Sequence, residues 1–411
     1  MAKGDILFVH NNFPAQFGFI ADALKARGVR CAVIGSPSVK TESFPVRRWG
    51  LKRGTTPGIF NPAVRAEADL LRADGAARCA LSFRDMGFTP EVIVGHPGWG
   101  ETLMLKEIFP DARLLLHGEF YYHPHGADVG FDPEFGGVDL TEAIRVRAKN
   151  MGLALAYVDA DCIVSPTPFQ ASLLPVGLRD RVRIIHEGVD VDVAKPRPNA
   201  KLKLSNGRVL DRSQPVITFV NRNFEPLRGF HIFMRALPRL LAEVPEAQVV
   251  LVGKDGRGYG GESDDESWRT RMVTELGDRL DPSRLHFTGK LSYSDLLDVL
   301  SISAAHVYLT YPFVLSWSLL DAMACECLIV ASDTAPVRDV VEGGKDGVLV
   351  DFFDIDGLSN TLIQACREPE RFQPLRKAAR AKMVAEYDRK RIALPAWLQV
   401  IDELRAGRGA A

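Results

Sequence analysis

Twelve short apolar runs, each closed by a turn or a polar residue, constrain the fold of this 411-residue chain more than any other feature. The first half reads DILFVH, CAVIGS, VIVGH, LLLHGE, CIVSP and VRIIHEG, and the second half reads VITFVN, VVLVG, LHFTG, HVYLTY, LIVAS and GVLVDF. Continuous runs of Val, Ile and Leu are typical of strands that are buried on both faces. The sequence therefore predicts parallel sheets that are covered by helices.

Helical stretches separate these runs. The segment FGFIADALKAR ends before Gly28, a residue suited to a helix C-terminus, and Ser292 with Asp295 forms a capping pair at LSYSDLLDVLSIS. Strands and helices that alternate in two series predict two doubly wound α/β domains. Two rows of polar residues after the strands suggest that the domains face each other across a cleft.

The domain boundary is expected in the proline-rich and basic text between Gly188 and Pro215, which includes an Asn206-Gly207 turn. We predict an N-terminal Rossmann-like domain over 1–190 and a C-terminal one over 191–388. The remaining residues, 389–411, are predicted to form a helix, with packing against the N-terminal domain as one option.

The charge balance gives no sign of a nucleic-acid partner, because the net charge is -1 and no global basic excess is visible. Six scattered cysteines without a CxxC pair indicate a reducing compartment, and the five-residue run ILFVH is too short for a signal peptide. We therefore expect a cytoplasmic protein. The basic tail from Phe372 is interpreted as a surface helix, with peripheral contact with the inner membrane as the alternative.

Residues that directly follow a predicted strand are the candidates for ligand contacts, because ligands of open α/β sheets collect at the carboxyl ends of the strands. In the first half these candidates, with their adjacent aromatic residues, are Asn11, Asn12, Phe13, His96, Trp99, Glu101, His117 and Glu119. Turn capping is an alternative role for His96 and Glu101, and domain packing is an alternative for the aromatic cluster beside His117.

The second half shows a clear chemical bias at the same positions. Its candidates are Asn221, Arg222, Arg228, Lys254, Lys290, Leu291, Ser316, Trp317, Ser318, Leu319 and Asp321. Guanidinium groups form forked hydrogen bonds with phosphate oxygens, and free amides at a helix start bind phosphate as well. A carboxylate one turn along that helix suits ribose hydroxyls. These features together indicate a nucleoside diphosphate ligand.

The segment YPFVLSWSLLDAMACECLIVA resembles the signature of family 4 glycosyltransferases, which have the GT-B fold. The Arg222/Arg228 pair, HFTGKLSYSDL and HEGVD are similar to that family as well, and VGHPGWGE, HGEFYY and GADVGFDPE resemble a bacterial branch of it. The resemblance spans nearly the whole chain and is strongest from residue 216 to 352.

The resemblance implies an enzyme that transfers a sugar from a nucleotide diphosphate donor to a saccharide, lipid-linked or other hydroxyl acceptor, with retention. It implies that Arg222 and Arg228 bind the diphosphate, that Lys290 and Leu291 lie against the base, and that Asp321 binds the ribose. His117 would lie near the transferred sugar. We predict catalytic roles for His117, Glu119, Arg222 and Arg228. The predicted acceptor residues are Asn11, Asn12, Phe13, His96, Trp99 and Glu101. No cofactor is expected beyond the donor, whose base and sugar the sequence does not identify.

One departure from the family keeps other functions open. Phe313 stands where the family's E-x7-E pattern has its first acid, which commonly contacts the donor sugar. This departure motivates a non-catalytic nucleotide-binding protein as one alternative. A nucleotide-sugar epimerase or a phosphorylase is another, because either enzyme would keep the same fold. No metal site is predicted, because His123 and His125 lack a third ligand at suitable spacing. The glycine pattern GRGYGG is followed by acidic residues and is interpreted as a loop rather than a dinucleotide site.

Overall fold

The computed structural model describes residues 4–256, 258 and 266–407. It contains two compact units, which we call unit 1 (residues 1–187 with 393–411) and unit 2 (residues 188–392). The second half of the GRGYGG segment, including Gly261, and the acidic residues after it lie outside the described residues.

Unit 1 is built on a seven-stranded parallel sheet in the order β3-β2-β1-β4-β5-β6-β7. Its strands are β1 Asp5–Val9, β2 Arg30–Gly35, β3 Val46–Arg48, β4 Pro90–Gly95, β5 Arg113–His117, β6 Cys162–Ser165 and β7 Val182–Ile184. Its first helices are α1 Gly18–Ala26, α2 Val64–Asp85, α3 Leu105–Ile108, α4 Leu140–Asp159 and α5 Pro168–Ser172. Each of the six apolar runs of the first half contains a strand of this sheet.

Unit 2 contains a six-stranded parallel sheet in the order β12-β11-β10-β13-β14-β15 and a small hairpin. Its strands are β8 Leu202–Lys203, β9 Val209–Leu210, β10 Val216–Asn223, β11 Gln248–Lys254, β12 Leu285–Gly289, β13 Ser303–Tyr308, β14 Ile329–Ser332 and β15 Val348–Val350. Its helices are α6 Phe230–Glu243, α7 Trp268–Leu276, α8 Tyr293–Ser301, α9 Trp317–Ala324, α10 Ala335–Arg338, α11 Ile355–Arg367 and α12 Gln373–Glu386. The Asn206-Gly207 turn joins β8 to β9, with Gly207 at a φ of 84°.

The last helix, α13 Leu394–Arg405, belongs to unit 1 although it follows unit 2 in the chain. Its Trp397 and Ile401 are fully buried in the same apolar cluster as Phe8 of β1 and Ile20 of α1. Burial of each large apolar side chain contributes about 1.5–3 kcal/mol, so this helix is an integral part of the core of unit 1.

The inner strands of both sheets are buried on both faces, as the apolar runs predicted, whereas the edge strands β3, β7, β12 and β15 are only partly buried. Every residue of β1 is buried, and Ile6 pairs with Cys31 of β2 on one side and with Val92 of β4 on the other. All six cysteines are unpaired, and burial raises the pKa of Cys31 to about 12. Among the helices of the described residues, none combines the length and the apolar character needed to span a bilayer.

Candidate functional site

The strand order of unit 2 reverses at β10, which pairs with β11 on one side and with β13 on the other. Connections from two such neighbouring strands leave the sheet in opposite directions, so a crevice opens at their carboxyl ends. Arg222 lies at the end of β10, and the segment from Tyr311 to Ser316 follows β13. The topology therefore brings the predicted diphosphate residues to the usual ligand position of this fold.

Arg228 is held firmly against the segment that follows β13. It is only 6% exposed, and its Nη1 donates to the Thr310 hydroxyl at 3.0 Å and to the Val314 carbonyl at 2.8 Å. Gly229 follows at a φ of 66°, where an added Cβ would lie 2.3 Å from the Cβ of Leu309. Glycine is therefore required for this approach of the β10 turn to the β13 segment.

Arg222 differs from Arg228 because its side chain is exposed. Within the described part of the chain, no hydrogen bond or ion pair involves its guanidinium group. Lys254 at the end of β11 and Lys290 after β12 are exposed cations as well, whereas Leu291 packs partly buried against the core of unit 2. Asn221, half-buried, precedes Arg222 in β10. The carboxyl edge of this sheet thus presents several cations to solvent.

The start of α9 offers fewer open amides than the sequence suggested. The amide of Ser316 donates to the Tyr308 hydroxyl at 2.6 Å, and the amide of Ser318 donates to the Ser316 hydroxyl at 3.3 Å. The amide of Leu319 donates to the Ser316 carbonyl at 3.1 Å. Among the four residues from Ser316 to Leu319, only Trp317 has an amide for which the described residues supply no acceptor. Trp317 is 46% exposed.

Asp321 is buried and has a protein partner that the sequence interpretation missed. Asp321 is 8% exposed, and its Oδ1 accepts a hydrogen bond from the Tyr293 hydroxyl at 2.7 Å. Burial raises the pKa of Asp321 to about 6, although the Tyr293 hydrogen bond and Arg389 act in the opposite direction. Tyr293 is the first residue of α8, so the segment LSYSD carried the signal for this contact.

Three histidines line the carboxyl edge of the unit 1 sheet. His10, His96 and His117 lie at the ends of β1, β4 and β5, which are neighbours in the sheet. The ring centroids of His10 and His96 are 5.2 Å apart, and those of His96 and His117 are 5.3 Å apart. Trp99 completes the group, with its ring centroid 4.6 Å from that of His96. The structure therefore brings together candidates that are far apart in sequence.

Glu119 joins this row of histidines through two contacts. Its Oε2 lies 3.4 Å from His96 Nε2, and its Oε1 accepts a hydrogen bond from Gln16 at 3.3 Å. Burial favours the neutral acid, but the contact with His96 and the charge of His117 outweigh that effect and hold the pKa of Glu119 below its usual value. The Glu119 side chain is 34% exposed, so it is partly accessible. His10 is buried, which lowers its pKa to about 3.

The remaining first-half candidates differ in their access to solvent. Asn12 is exposed, Asn11 is half-buried, and Phe13 is 4% exposed in the core of unit 1. Glu101 is fully buried, and neither carboxylate oxygen has a hydrogen-bond partner among the described residues. Burial raises the pKa of Glu101 to about 7. His123, for which no metal site was predicted, donates from Nε2 to the Leu173 carbonyl at 2.8 Å.

Glu187 is a residue of this edge that the sequence interpretation did not select. Its Oε1 lies 2.7 Å from His117 Nε2, and both residues are buried. The sequence did contain the strand-end signal for Glu187, because this residue follows the apolar run VRII just as His117 ends the run LLLH. The HEGVD segment contributed only to the family resemblance.

The two units are Rossmann-like, because each has a parallel sheet with polar residues at the carboxyl ends of its strands, where open α/β sheets bind their ligands. The model of the "glycosyl transferase family 4 group" matches residues 27–194, and that of the "glycosyl transferases group 1" matches residues 202–382. The chain therefore belongs to the family 4, group 1 glycosyltransferases, which confirms the resemblance.

Curated relatives are similar to part of the chain. A D-inositol 3-phosphate glycosyltransferase of Rhodococcus jostii is 28% identical over 58% of this chain and 52% of its own length. A phosphatidyl-myo-inositol mannosyltransferase of Mycolicibacterium smegmatis is 30% identical over 37% of this chain and 36% of its own length. The chain therefore spans about half the length of the first of these relatives and about a third of the second.

Solved structures confirm the predicted GT-B fold class. Sucrose-phosphate synthase of Thermosynechococcus elongatus has a TM-score of 0.74 at 19% identity and covers 98% of this chain and 100% of its own. Anabaena HepE in complex with UDP and glucose has a TM-score of 0.66 at 16% identity, covering 97% and 100%. At these identities the similarity shows the fold alone.

Proposed function

We propose that this protein transfers a sugar, with retention, from a nucleoside diphosphate sugar to a hydroxyl acceptor. The observation that carries the proposal is the placement of Arg222 and Arg228 after the core of β10, at the switch point of the unit 2 sheet. Arg228 also donates to the carbonyl of Val314, three residues before α9. The two family models and the names of the relatives support this activity, and retention rests on the family resemblance.

The residues of unit 2 suggest an electrostatic mechanism. Arg228, fixed by Thr310 and Val314, and Arg222, exposed at the end of β10, would stabilise the negative charge that develops on the departing diphosphate. The Trp317 amide would add a neutral donor at the positive end of α9. Because Arg228 is already held in place, little reorganisation is needed when the charge develops. Lys290 and Leu291 would lie against the base.

We assign the acceptor to the carboxyl edge of unit 1, where Asn12, Trp99 and Glu119 are accessible. A partly exposed carboxylate beside an aromatic ring suits a hydroxyl-bearing molecule, since the carboxylate accepts hydrogen bonds and the ring stacks on a sugar face. Saccharides, inositol-type polyols and lipid-linked glycans are the acceptors to test. Synthesis of a bacterial polysaccharide or glycoconjugate would be the corresponding role.

The basic tail has mostly internal partners, which favours a surface helix over membrane contact. Arg380 of α12 donates to the carbonyls of Val191, Ala194 and Ala324, and Lys382 forms an ion pair with Asp346 at 2.9 Å. Charges that are engaged in this way contribute little to attraction toward anionic lipid.

A two-stage assay tests the proposed function. Binding of a nucleotide stabilises the native state, so a thermal-shift screen with UDP, GDP, ADP, dTDP and CMP identifies the base. The matching nucleotide sugars are then incubated with an acceptor panel, and the anomeric configuration of the product is determined. Change of the donor without acceptor would support an epimerase, and nucleotide binding without transfer would support the non-catalytic alternative that Phe313 suggests. An inverted product would contradict retention.

Donor affinity is expected to fall on acidification below pH 6. With a pKa of about 6, Asp321 is an ionised acceptor for ribose hydroxyls at pH 7.5 and is mostly protonated at pH 5. The affinity for a nucleotide sugar should therefore drop about tenfold between these values, since one pH unit below the pKa leaves roughly a tenth of the carboxylate ionised. Isothermal titration calorimetry at both values measures the change.

A nucleotide sugar is the right probe because both ends of its diphosphate are esterified and do not titrate near pH 6. Asp321→Asn should bind weakly at both pH values with no acid-dependent loss. Asp278→Asn, at an exposed position of unit 2, should retain the wild-type profile. A flat wild-type profile would remove Asp321 from the donor site.

A further inference from the structure

The first residue of α8 meets the buried acid of α9 within unit 2. The Ser292 hydroxyl accepts a hydrogen bond from the Asp295 amide at 3.1 Å, which fixes the start of α8 shortly after β12. Tyr293 therefore follows directly on Lys290 and Leu291, the residues that we place against the base, and on the capping serine. Because α8 and α9 pack on each other in the apolar core of unit 2, the Tyr293 hydroxyl reaches the second turn of α9.

The two carboxylate oxygens of Asp321 have different surroundings. Oδ1 accepts a hydrogen bond from the Tyr293 hydroxyl at 2.7 Å. Oδ2 has no hydrogen-bond partner among the described residues, yet it is not sealed from solvent, in contrast to both carboxylate oxygens of Glu101. The donor Tyr293 is itself 47% exposed. Asp321 therefore has one occupied oxygen and one oxygen that is open to a hydrogen-bond donor.

The surroundings of Asp321 keep its carboxylate ionised at pH 7.5. Burial raises its pKa to about 6, while the hydrogen bond from Tyr293 and the charge of Arg389 act in the opposite direction. The thiol of Cys325 on the same helix is neutral in this range, because burial raises its pKa to about 12. Arg380 of α12, which also packs against α9, donates to backbone carbonyls. Tyr293 is thus the group that both contacts Asp321 and stabilises its ionised form.

The torsion that orients a carboxylate plane has only broad minima, so a hydrogen bond at one oxygen decides where the other oxygen is available. We propose that Tyr293 is a positioning residue of the nucleotide site, which holds Oδ1 of Asp321 and leaves Oδ2 to accept a hydrogen bond from one hydroxyl of a bound ribose. The proposal rests on the proposed function for the identity of the ligand, and on the geometry of unit 2 alone for the contact between Tyr293 and Asp321.

Nuclear magnetic resonance of the full-length protein with isotopically labelled aspartate carboxyl groups tests this contact without a ligand. The Asp321 signal is assigned by comparison with Asp321→Asn. A hydrogen bond to the carboxylate favours its ionised form, so the titration of Asp321 should move up by about one pH unit in Tyr293→Phe. Tyr387→Phe removes a different hydroxyl contact of unit 2, to the Asp339 carbonyl at 3.3 Å, and should leave the titration unchanged. An Asp321 titration that Tyr293→Phe does not move would overturn the proposal.

Recognition of the ribose supplies the functional test. The affinities of UDP, GDP and ADP, and of the 2′-deoxy and 3′-deoxy analogues of the one that binds best, are measured by calorimetry at pH 7.5. Because only Oδ2 is open, loss of one particular hydroxyl should weaken binding to the wild type about tenfold, and loss of the other less than about threefold. Tyr293→Phe should lose most of this difference without a lower melting temperature, since Tyr293 is half exposed, and Tyr387→Phe should keep it.

The outcomes separate this proposal from the proposed function. Equal losses for the two deoxy analogues in the wild type, or a difference that Tyr293→Phe retains in full, would contradict the role of Tyr293. A wild type that distinguishes the two hydroxyls through Tyr293 but transfers no sugar would instead contradict the proposed function.

Discussion

Replacement of Arg222 by alanine is expected to weaken binding of a nucleoside diphosphate by about ten- to hundredfold without lowering the melting temperature. A hydrogen bond to a charged group contributes about 1.5–3 kcal/mol, and each 1.4 kcal/mol corresponds to a factor of ten. The folded state should not suffer, because the Arg222 side chain is exposed and the described residues give it no partner. Calorimetric titration and thermal unfolding of the same samples measure both quantities.

Two further variants make this result specific. Arg228→Ala should lose affinity and stability together, because it removes buried hydrogen bonds to Thr310 and Val314. Arg371→Ala, at an exposed position of unit 2 far along the chain from the strand ends, should change neither. If Arg222→Ala binds with wild-type affinity, the diphosphate lies elsewhere.

The second large effect is expected in the pH dependence of the stability of unit 1. The carboxyl group of Glu101 is fully buried without a hydrogen-bond partner among the described residues, and burial raises its pKa from 4.5 to about 7. As pH rises above 4.5 the unfolded state loses this proton first, so the folded state becomes relatively less stable. The contribution of Glu101 should therefore reduce the free energy of unfolding by about 3 kcal/mol between pH 4.5 and pH 8.

Glu101→Gln should abolish this part of the pH dependence, since the amide does not ionise. Hydrogen–deuterium exchange of unit 1 peptides follows the stability of this unit separately from that of unit 2. Glu107→Gln, at an exposed position, should keep the wild-type slope. Equal slopes in the wild type and Glu101→Gln would show that Glu101 is not buried as a neutral acid.

The sequence predicted the sheets well because their signal is local. A parallel strand buried on both faces must be apolar at consecutive positions, and each of the twelve apolar runs contains a strand of one of the two sheets. The helix start at Ser292 was predicted for the same reason, as its hydroxyl accepts a hydrogen bond from the Asp295 amide three residues on. Strand order was not encoded locally, because it depends on contacts between distant segments.

The sequence indicated where in the fold the candidate residues lie, but not which side chains form hydrogen bonds with them. Strand ends identified Arg222 and His117, which topology places at the carboxyl edges, and the helix start after β13 identified Asp321 of α9. The partners Tyr293 and Glu187 were missed, since they lie 28 and 70 residues away from Asp321 and His117. Burial of Glu101 was equally invisible, because a carboxylate after a glycine turn reads as exposed until the packing around it is known.

The central claim is that unit 2 binds the diphosphate of a nucleotide through Arg222 and Arg228. The most direct test compares the affinities of a nucleoside diphosphate and the matching monophosphate, by calorimetry, for the wild type and Arg222→Ala. We predict that the wild type prefers the diphosphate at least tenfold and that most of this preference disappears in Arg222→Ala. Equal affinities in the wild type, or a preference that Arg222→Ala retains in full, would contradict the account.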